Sequence, residues 1–221
     1  MRNSLLLLAI MLLLVVEPFF SAGASGRAVL EIIVSIILFT AIWAVSRHPG
    51  VLAAAVLLAV PAFAVRFGAY LLESHRLATL WPIFGIVLFA FTAVVLLRQV
   101  LLETAVTLET IAGSVSVYLL LAVVWALIYT LIETTRPGSF QVGGRVLDLP
   151  PDVSGGHVPE FLYFSLVTIS TVGYGDIVAM TPPARMIAAL EGVIGQLYLA
   201  VLVARLIGMH VPSPSRSHHD R

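Results

Sequence analysis

Long apolar runs recur along the chain, and short polar or charged segments separate them. Six of these runs approach the length of about 20 residues that a helix needs to cross a bilayer. They cover residues 4–22, 28–46, 51–67, 80–97, 113–132 and 184–208. A seventh run, residues 161–169, is about half as long, which is typical of a re-entrant helix. The pattern predicts an all-α integral membrane protein with six transmembrane helices and one re-entrant helix.

The first run has two interpretations. Arg2, the apolar core and the small residues at the end of the run are typical of a secretory signal peptide. The length of the run and the pair formed by Glu17 and Pro18 favour a transmembrane helix instead. In either case the following chain emerges on the outer side.

Residues 99–112 follow a different pattern, in which leucine and alanine recur on one helical face. Glu103, Thr107 and Thr110 lie on the other faces. This is typical of an amphipathic helix on the membrane surface, so we expect an interfacial linker helix. Residues 133–158 are polar and rich in proline and glycine, which predicts an exposed loop. Residues 209–221 are expected to form a short disordered cytosolic tail.

Composition agrees with a membrane protein and excludes several functional classes. Hydrophobic residues make up 60% of the 221 residues and charged residues 11%, whereas a soluble domain carries about 25% charged residues. The 12 basic residues are all arginine and are balanced by 12 acidic ones, so no basic block is available for nucleic acid. Cysteine is absent, which excludes disulfides and thiolate metal sites. The six histidines are scattered without a nucleophile and base beside them, so we expect neither enzymatic activity nor a cofactor.

The hexapeptide TVGYGD occupies residues 171–176, between the half-length helix and the last apolar run. Its two glycines can adopt positive φ angles without steric cost. Such a backbone can turn consecutive carbonyl oxygens toward one axis, where a ring of oxygens replaces the water shell of a potassium ion. The hexapeptide resembles the selectivity filter of potassium channels, whose signature is TVGYG.

The resemblance implies a role for each residue of this segment. The permeating K+ is expected to bind at the carbonyl oxygens of Thr171, Val172, Gly173 and Tyr174, and Gly175 completes the filter. The side chains of Val172 and Tyr174 are expected to pack against the preceding pore helix. Support for the filter is expected from four further residues, Asp176, Tyr163, Phe164 and Thr168.

The resemblance covers residues 113–208, which would form a pore domain of outer helix, pore helix, filter and inner helix. Residues 1–98 would form a four-helix membrane domain that is similar to a voltage sensor in the number and order of its spans. A voltage-sensing fourth helix carries several arginines. Residues 80–97 contain none, and Arg98 at their end is interpreted as an interfacial anchor. We therefore expect a channel that is largely insensitive to voltage.

The last run carries the candidate cavity and gate residues. Gly195 occupies the place of a hinge glycine in the resembled family, although close packing against the pore helix explains it equally well. Glu191 is an ionisable residue at membrane depth, which marks either a functional site or a structural partner, and we favour a hydrogen bond to the pore helix. Helical spacing places four residues on one face that is expected to line a water-filled cavity, namely Gln196, Leu199, Val203 and Ile207.

One chain contains one filter segment and four are needed around an axis, so the resemblance implies a homotetramer in the cell membrane, with lipid and K+ as its partners. With the filter facing outward, both termini are expected in the cytosol; the arginines divide evenly between the two sides and do not decide the orientation. The predicted function is a potassium-selective channel. The alternatives are a sensor or accessory membrane subunit with a silent pore, and a channel-derived cation transporter.

Overall fold

A computed structural model of the chain describes residues 2–20, 35–37, 39–44, 49–72, 75–146 and 158–210. This part is mainly helical. The helices are α1 (Arg2–Phe20), α2 (Ser35–Ala44), α3 (Pro49–Leu72), α4 (His75–Leu102), α5 (Leu108–Thr135), α6 (Val158–Ile169) and α7 (Pro182–His210). Three short strands complete it: β1 (Phe140–Val142), β2 (Arg145–Val146) and β3 (Ile177–Ala179). The predicted tail, residues 209–221, lies almost wholly outside the described residues.

Four helices are long and apolar enough to cross a membrane. They are Pro49–Ala69, Thr79–Leu102, Leu108–Thr135 and Pro182–Gly208, and they confirm the runs predicted at 51–67, 80–97, 113–132 and 184–208. The apolar stretches described in α1 and α2 are Arg2–Val16 and Ser35–Ala44, each shorter than a crossing. Six spans therefore remain a prediction.

The connection between α4 and α5 differs from the predicted linker helix over residues 99–112. Helix α4 continues to Leu102, and α5 begins at Leu108. Thr107 is the N-cap residue directly before α5, and its backbone is extended, with φ −118° and ψ 165°. Its hydroxyl accepts a 3.1 Å hydrogen bond from the amide of Thr110, which caps the free amides at the start of α5. The amphipathic pattern thus belongs to two helix ends and not to one separate helix.

Helix α5 is the centre of the packing, because α1, α4, α6 and α7 all contact it. The start of α1 lies against the start of α5, where the Asn3 side chain donates a 3.1 Å hydrogen bond to the carbonyl of Glu109. Helix α4 approaches so closely at Gly85 that an added Cβ would lie 2.8 Å from Leu127. Helices α4 and α5 thus share one apolar core.

The predicted exposed loop at residues 133–158 is wrong in its first half. The strands form a sheet in the order β2-β1-β3, with Gln141 opposite Val178. Phe140 is 0% exposed, since its ring packs edge to face on Tyr129, with centroids 5.4 Å apart. The buried carboxylate of Glu133 accepts hydrogen bonds from the amides of Gly138 and Phe140, which ties the strand to the end of α5. Residues 147–157 of the predicted loop lie outside the described residues.

Candidate functional site

Helix α6 contains 12 residues and ends at Ile169, directly before the hexapeptide. The chain then turns back on the helix end. The amide of Thr171 donates to the carbonyl of Thr168 at 2.9 Å, and the amides of Val172 and Gly173 donate to the carbonyl of Val167 at 3.0 and 3.3 Å. These bonds satisfy carbonyls that a helix end leaves free. They also fix where the hexapeptide begins relative to α6.

The backbone of residues 171–176 has the unusual angles that its glycines suggest. Gly173 has φ +58° and Gly175 has φ +78°. Thr171 also has positive φ, +59°, which is uncommon for a residue with a branched side chain. Its hydroxyl donates a 2.7 Å hydrogen bond to the carbonyl of Ser170. Nothing in the sequence indicated this strained threonine.

The side chains of Val172 and Tyr174 are 52% and 71% exposed in the single chain. Their packing against a pore helix stays a prediction. The tight turn after α6 leaves all of residues 171–176 on the surface of the single chain. A large exposed apolar surface of this kind is typical of an interface with another protein chain.

Tyr163 and Asp176 are brought together by the structure. The phenol of Tyr163, in the first half of α6, donates a 2.8 Å hydrogen bond to the carboxylate of Asp176 at the far end of the hexapeptide. This hydrogen bond raises the pKa of the Tyr163 phenol. The bond therefore attaches the far end of the hexapeptide to the middle of α6.

Strand β3 holds the same end of the hexapeptide from the other side. It follows Asp176 directly and pairs with β1, and the amide of Gly143 donates a 2.8 Å hydrogen bond to the carbonyl of Asp176. Gly143 and Gly144 both have positive φ, +55° and +80°, and form the two-residue turn between β1 and β2. Sequence reasoning missed this support, although a glycine pair between short apolar segments is a hairpin signal.

The support that Phe164 was predicted to give the hexapeptide stays a prediction. The ring of Phe164 is buried and packs edge to face on Tyr129 and Phe140, with centroids 5.1 and 5.6 Å apart. It faces α5 and β1 because adjacent residues of a helix point in directions about 100° apart, and its neighbour Tyr163 takes the outward position. The carbonyl of Thr168 accepts the hydrogen bond from the amide of Thr171.

Gly195 on α7 is a point of close packing. A Cβ added there would lie 2.5 Å from Cγ1 of Ile169 and 2.6 Å from its carbonyl oxygen. At Gly192 the nearest atom to an added Cβ is the carbonyl oxygen of Thr168, at an ordinary 3.8 Å. Of the two interpretations of Gly195, the structure favours packing against the pore helix.

The predicted cavity face is uncovered in the single chain. Gln196, Val203 and Ile207 are exposed and Leu199 is partly exposed. At the inner end of the same helix, the Arg205 guanidinium donates hydrogen bonds to the carbonyls of Val100 and Glu103. The inner end of α7 is thereby attached to the end of α4.

Glu191 is completely buried between three helices. One carboxyl oxygen is hydrogen-bonded to the phenol of Tyr129 on α5, and the other to the hydroxyl of Ser165 on α6. The predicted hydrogen bond to the pore helix is confirmed. The sequence did not identify Tyr129 or Ser165, because neither lies near Glu191 along the chain.

The end of α6 and the residues that follow it can attract a cation without acidic ligands. Within the ranges that the structure describes, no group of three or more His, Asp or Glu residues could hold a metal ion. The carboxyl end of α6 directs its partial negative charge toward residues 170–173, and such a helix end favours a cation.

Comparison with known proteins gives two matches to parts of the chain. Residues 106–210, from the end of the α4–α5 connection to the end of α7, match the ion channel family. A candidate potassium channel protein of Rhodopseudomonas palustris is 38% identical over 48 residues, which are 22% of this chain and 12% of that relative's length. No solved structure matches the chain.

Proposed function

We propose that residues 106–210, which match the ion channel family, form the pore domain of a potassium channel and that the chain is one subunit of a homotetrameric channel selective for K+. The observation that carries the proposal is the hexapeptide at residues 171–176. It follows a half-length helix and has two glycines at positive φ. Both features are what a ring of inward-facing carbonyls requires.

Selective passage depends on replacing the water around the ion. The carbonyl oxygens of Thr171, Val172, Gly173 and Tyr174, contributed by four chains, would surround K+ as its water leaves. The ion is the substrate that permeates and no cofactor is needed. The partial negative charge at the end of α6 lowers the energy of a cation on the axis.

Four chains around the axis would also cover surface that the single chain exposes. The side chains of Val172 and Tyr174 and the outward face of α7 are apolar and exposed. In a tetramer these side chains would contact a neighbouring chain. Gln196, on the same face of α7, would line the cavity instead. This supports a symmetric assembly, since closed rings bury such surfaces on every copy.

The proposed location is the cell membrane, with the filter outside and the termini in the cytosol. The described part has four helices that can cross a membrane. Cytosolic termini follow from six spans, which residues 2–20 and 35–44 would complete. Labelling of single engineered cysteines at Ser4 and at the exposed Arg145 in sealed cells tests this orientation, because only the Arg145 site is expected to react from outside.

The function is tested by reconstituting the purified protein in planar bilayers and measuring the reversal potential in mixed K+ and Na+ solutions. We expect the reversal potential to follow the K+ gradient. A correctly assembled tetramer that passes no current would indicate a silent accessory subunit. Flux that requires a gradient of a second ion would indicate a transporter, and equal permeability to Na+ would contradict the proposed selectivity.

A further inference from the structure

We infer that Glu191 carries a proton and that its neutral carboxyl positions the pore helix behind the filter. The observation is a count of hydrogens in one buried cluster. Its members are the carboxyl of Glu191, the hydroxyls of Tyr129 and Ser165, and the backbone carbonyl of Ala122. The inference rests on the proposed function only where conduction is used as a readout.

The Ser165 hydroxyl has an acceptor on each side. Its oxygen lies 2.8 Å from the carbonyl oxygen of Ala122 and within hydrogen-bond distance of a carboxyl oxygen of Glu191. A serine hydroxyl carries one hydrogen and can donate only once. A carbonyl oxygen cannot donate at all, so the hydroxyl must donate to Ala122. The hydrogen between Ser165 and Glu191 must then come from the carboxyl.

A protonated carboxyl satisfies every group in the cluster. Tyr129 donates to one oxygen of Glu191, the other oxygen of Glu191 donates to Ser165, and Ser165 donates to Ala122. Each of the three hydrogen bonds thus has one hydrogen of its own. All three donors run in one direction along the chain of bonds, which strengthens each bond.

An ionised carboxylate would fit this site poorly. Glu191 is 0% exposed, and its two partners are hydroxyl groups without positive charge. Burying a carboxylate without a cation is far more costly than burying the neutral acid. The Ser165 hydroxyl would also have to choose between Ala122 and Glu191, which would leave two acceptor oxygens in contact without a hydrogen.

The cluster acts on the filter through α6. Ser165 lies one helical turn before Ile169, and Glu191 lies one turn before Gly195. The backbone of Ile169 contacts Gly195, so the carboxyl contact and the glycine contact fasten α6 to α7 at two adjacent turns. The bond from Ser165 to Ala122 fastens the same turn of α6 to α5. Loss of the proton would therefore release one of the two attachments at Ser165.

The other titratable groups near the carboxyl are tyrosines of α5. Tyr129 contacts it, and Tyr118 lies close enough to sense its charge. Helix α6 presents Ser165, and on α7 the nearest arginine, Arg185, is engaged with the carbonyl of Ala179 in β3. Around neutral pH both tyrosines stay protonated, since their ordinary pKa is about 10. A change of the cluster at moderately alkaline pH would thus report on Glu191.

Infrared spectroscopy of the purified tetramer tests the proton without any need for current. We expect a carbonyl stretching band of a protonated carboxylic acid at neutral pH that Glu191→Gln removes. Glu160→Gln is the matched control, because it removes a partly exposed carboxyl at the start of α6 and should leave the band in place. A parent spectrum without the band, or a band unchanged in Glu191→Gln, would overturn the inference even if the protein conducts K+.

Conduction tests the positioning role. Glutamine can accept from Tyr129 and donate to Ser165, so Glu191→Gln should keep the parent's K+ over Na+ selectivity, whereas Glu191→Leu should lose it. The parent should lose selectivity at alkaline pH and the glutamine variant should not. If glutamine abolished selectivity, or if both proteins had the same pH profile, the neutral carboxyl would not be the positioning group. If neither protein conducted K+ while the band was present, the proposed function would fail and the proton assignment would stand.

Discussion

The backbones of Gly195 and Ile169 touch where the inner helix crosses the end of the pore helix. A Cβ on Gly195 would lie 2.6 Å from the carbonyl oxygen of Ile169, which is the last residue of α6. The Ile169 side chain is equally close, since its Cγ1 would lie 2.5 Å from the same Cβ, so the two helices have no free space at that point. A bend of α7 at Gly195 would therefore displace the residue from which the filter starts.

Replacing Gly195 by alanine should consequently damage the filter. The added methyl group must push either the Ile169 backbone or α7, and overpacking of this kind costs about 1–3 kcal/mol in each chain. We expect loss of selective K+ current and a less stable tetramer, measured by reversal potential and by thermal dissociation. Gly192→Ala is the matched control, since its Cβ would have 3.8 Å of room. A Gly195→Ala tetramer that behaves like Gly192→Ala would show that this contact is not tight in the assembled channel.

Removing the Tyr163 hydroxyl should weaken the outer end of the filter. Tyr163→Phe leaves the carboxylate of Asp176 without its donor from α6. We expect selective current that declines during a sustained recording, whereas Tyr163→Trp, which restores an N–H donor, should decline less. Because the hydrogen bond raises the pKa of Tyr163, the parent should keep this contact as the pH approaches the ordinary tyrosine value of about 10. Identical recordings from the phenylalanine variant and the parent would contradict this role.

Gly173→Ala should abolish selectivity because it strains the backbone at this position, not because the added methyl group clashes with another atom. An added Cβ would meet no atom within 4 Å in the single chain, but the residue has φ +58°. A side chain in this conformation costs roughly 1–2 kcal/mol, and a ring would include the change in four chains. Reversal potentials in K+ and Na+ measure the loss. Gly208→Ala is the control, because it has equal space and no positive φ. Selective conduction by Gly173→Ala would refute the assignment of residues 171–176 as the filter.

Membrane voltage should change the open fraction only slightly. One charge moved across the membrane contributes about 2.3 kcal/mol per 100 mV, and steep opening needs several charges in each subunit. Residues 80–97 of α4 carry no charge, and the following Arg98 is exposed. Conductance in symmetrical K+ should therefore vary smoothly between negative and positive voltages. A steep sigmoidal activation curve would place a voltage sensor elsewhere in the chain.

External tetraethylammonium should block the parent weakly and a Val178→Tyr variant tightly. Val178 lies in β3, two residues beyond Asp176, and is 37% exposed. Four aromatic faces at the mouth would each attract the quaternary ammonium by about 0.5–1 kcal/mol. Val146→Tyr is the control, since β2 is at the opposite edge of the sheet from β3. Block that is equally weak in both tyrosine variants would place Val178 away from the mouth.

The apolar runs and the backbone angles of two glycines in the hexapeptide could be predicted from the sequence because both depend on neighbouring residues. Each of four predicted spans lies within a helix long enough to cross a membrane, and Gly173 and Gly175 have the positive φ angles that their residue type allows. The predicted separate helix at residues 99–112 was wrong, because the apolar pattern there does not show that α4 continues to Leu102 or that Thr107 caps a new helix. Local pattern gives the type of an element more reliably than its ends.

The sequence by itself therefore determined that the chain is a membrane protein, and it singled out one segment whose two glycines have the expected positive φ angles. Only the tertiary structure decided what holds that segment in place. Tyr129, Ser165 and Glu191 are up to 62 positions apart along the chain. Strand β1, which contains Phe140, pairs with β3 although the whole pore helix lies between the two strands in the sequence. Hydrophobic pattern and backbone preference act over a few residues, whereas these contacts exist only after helices α5, α6 and α7 have packed together.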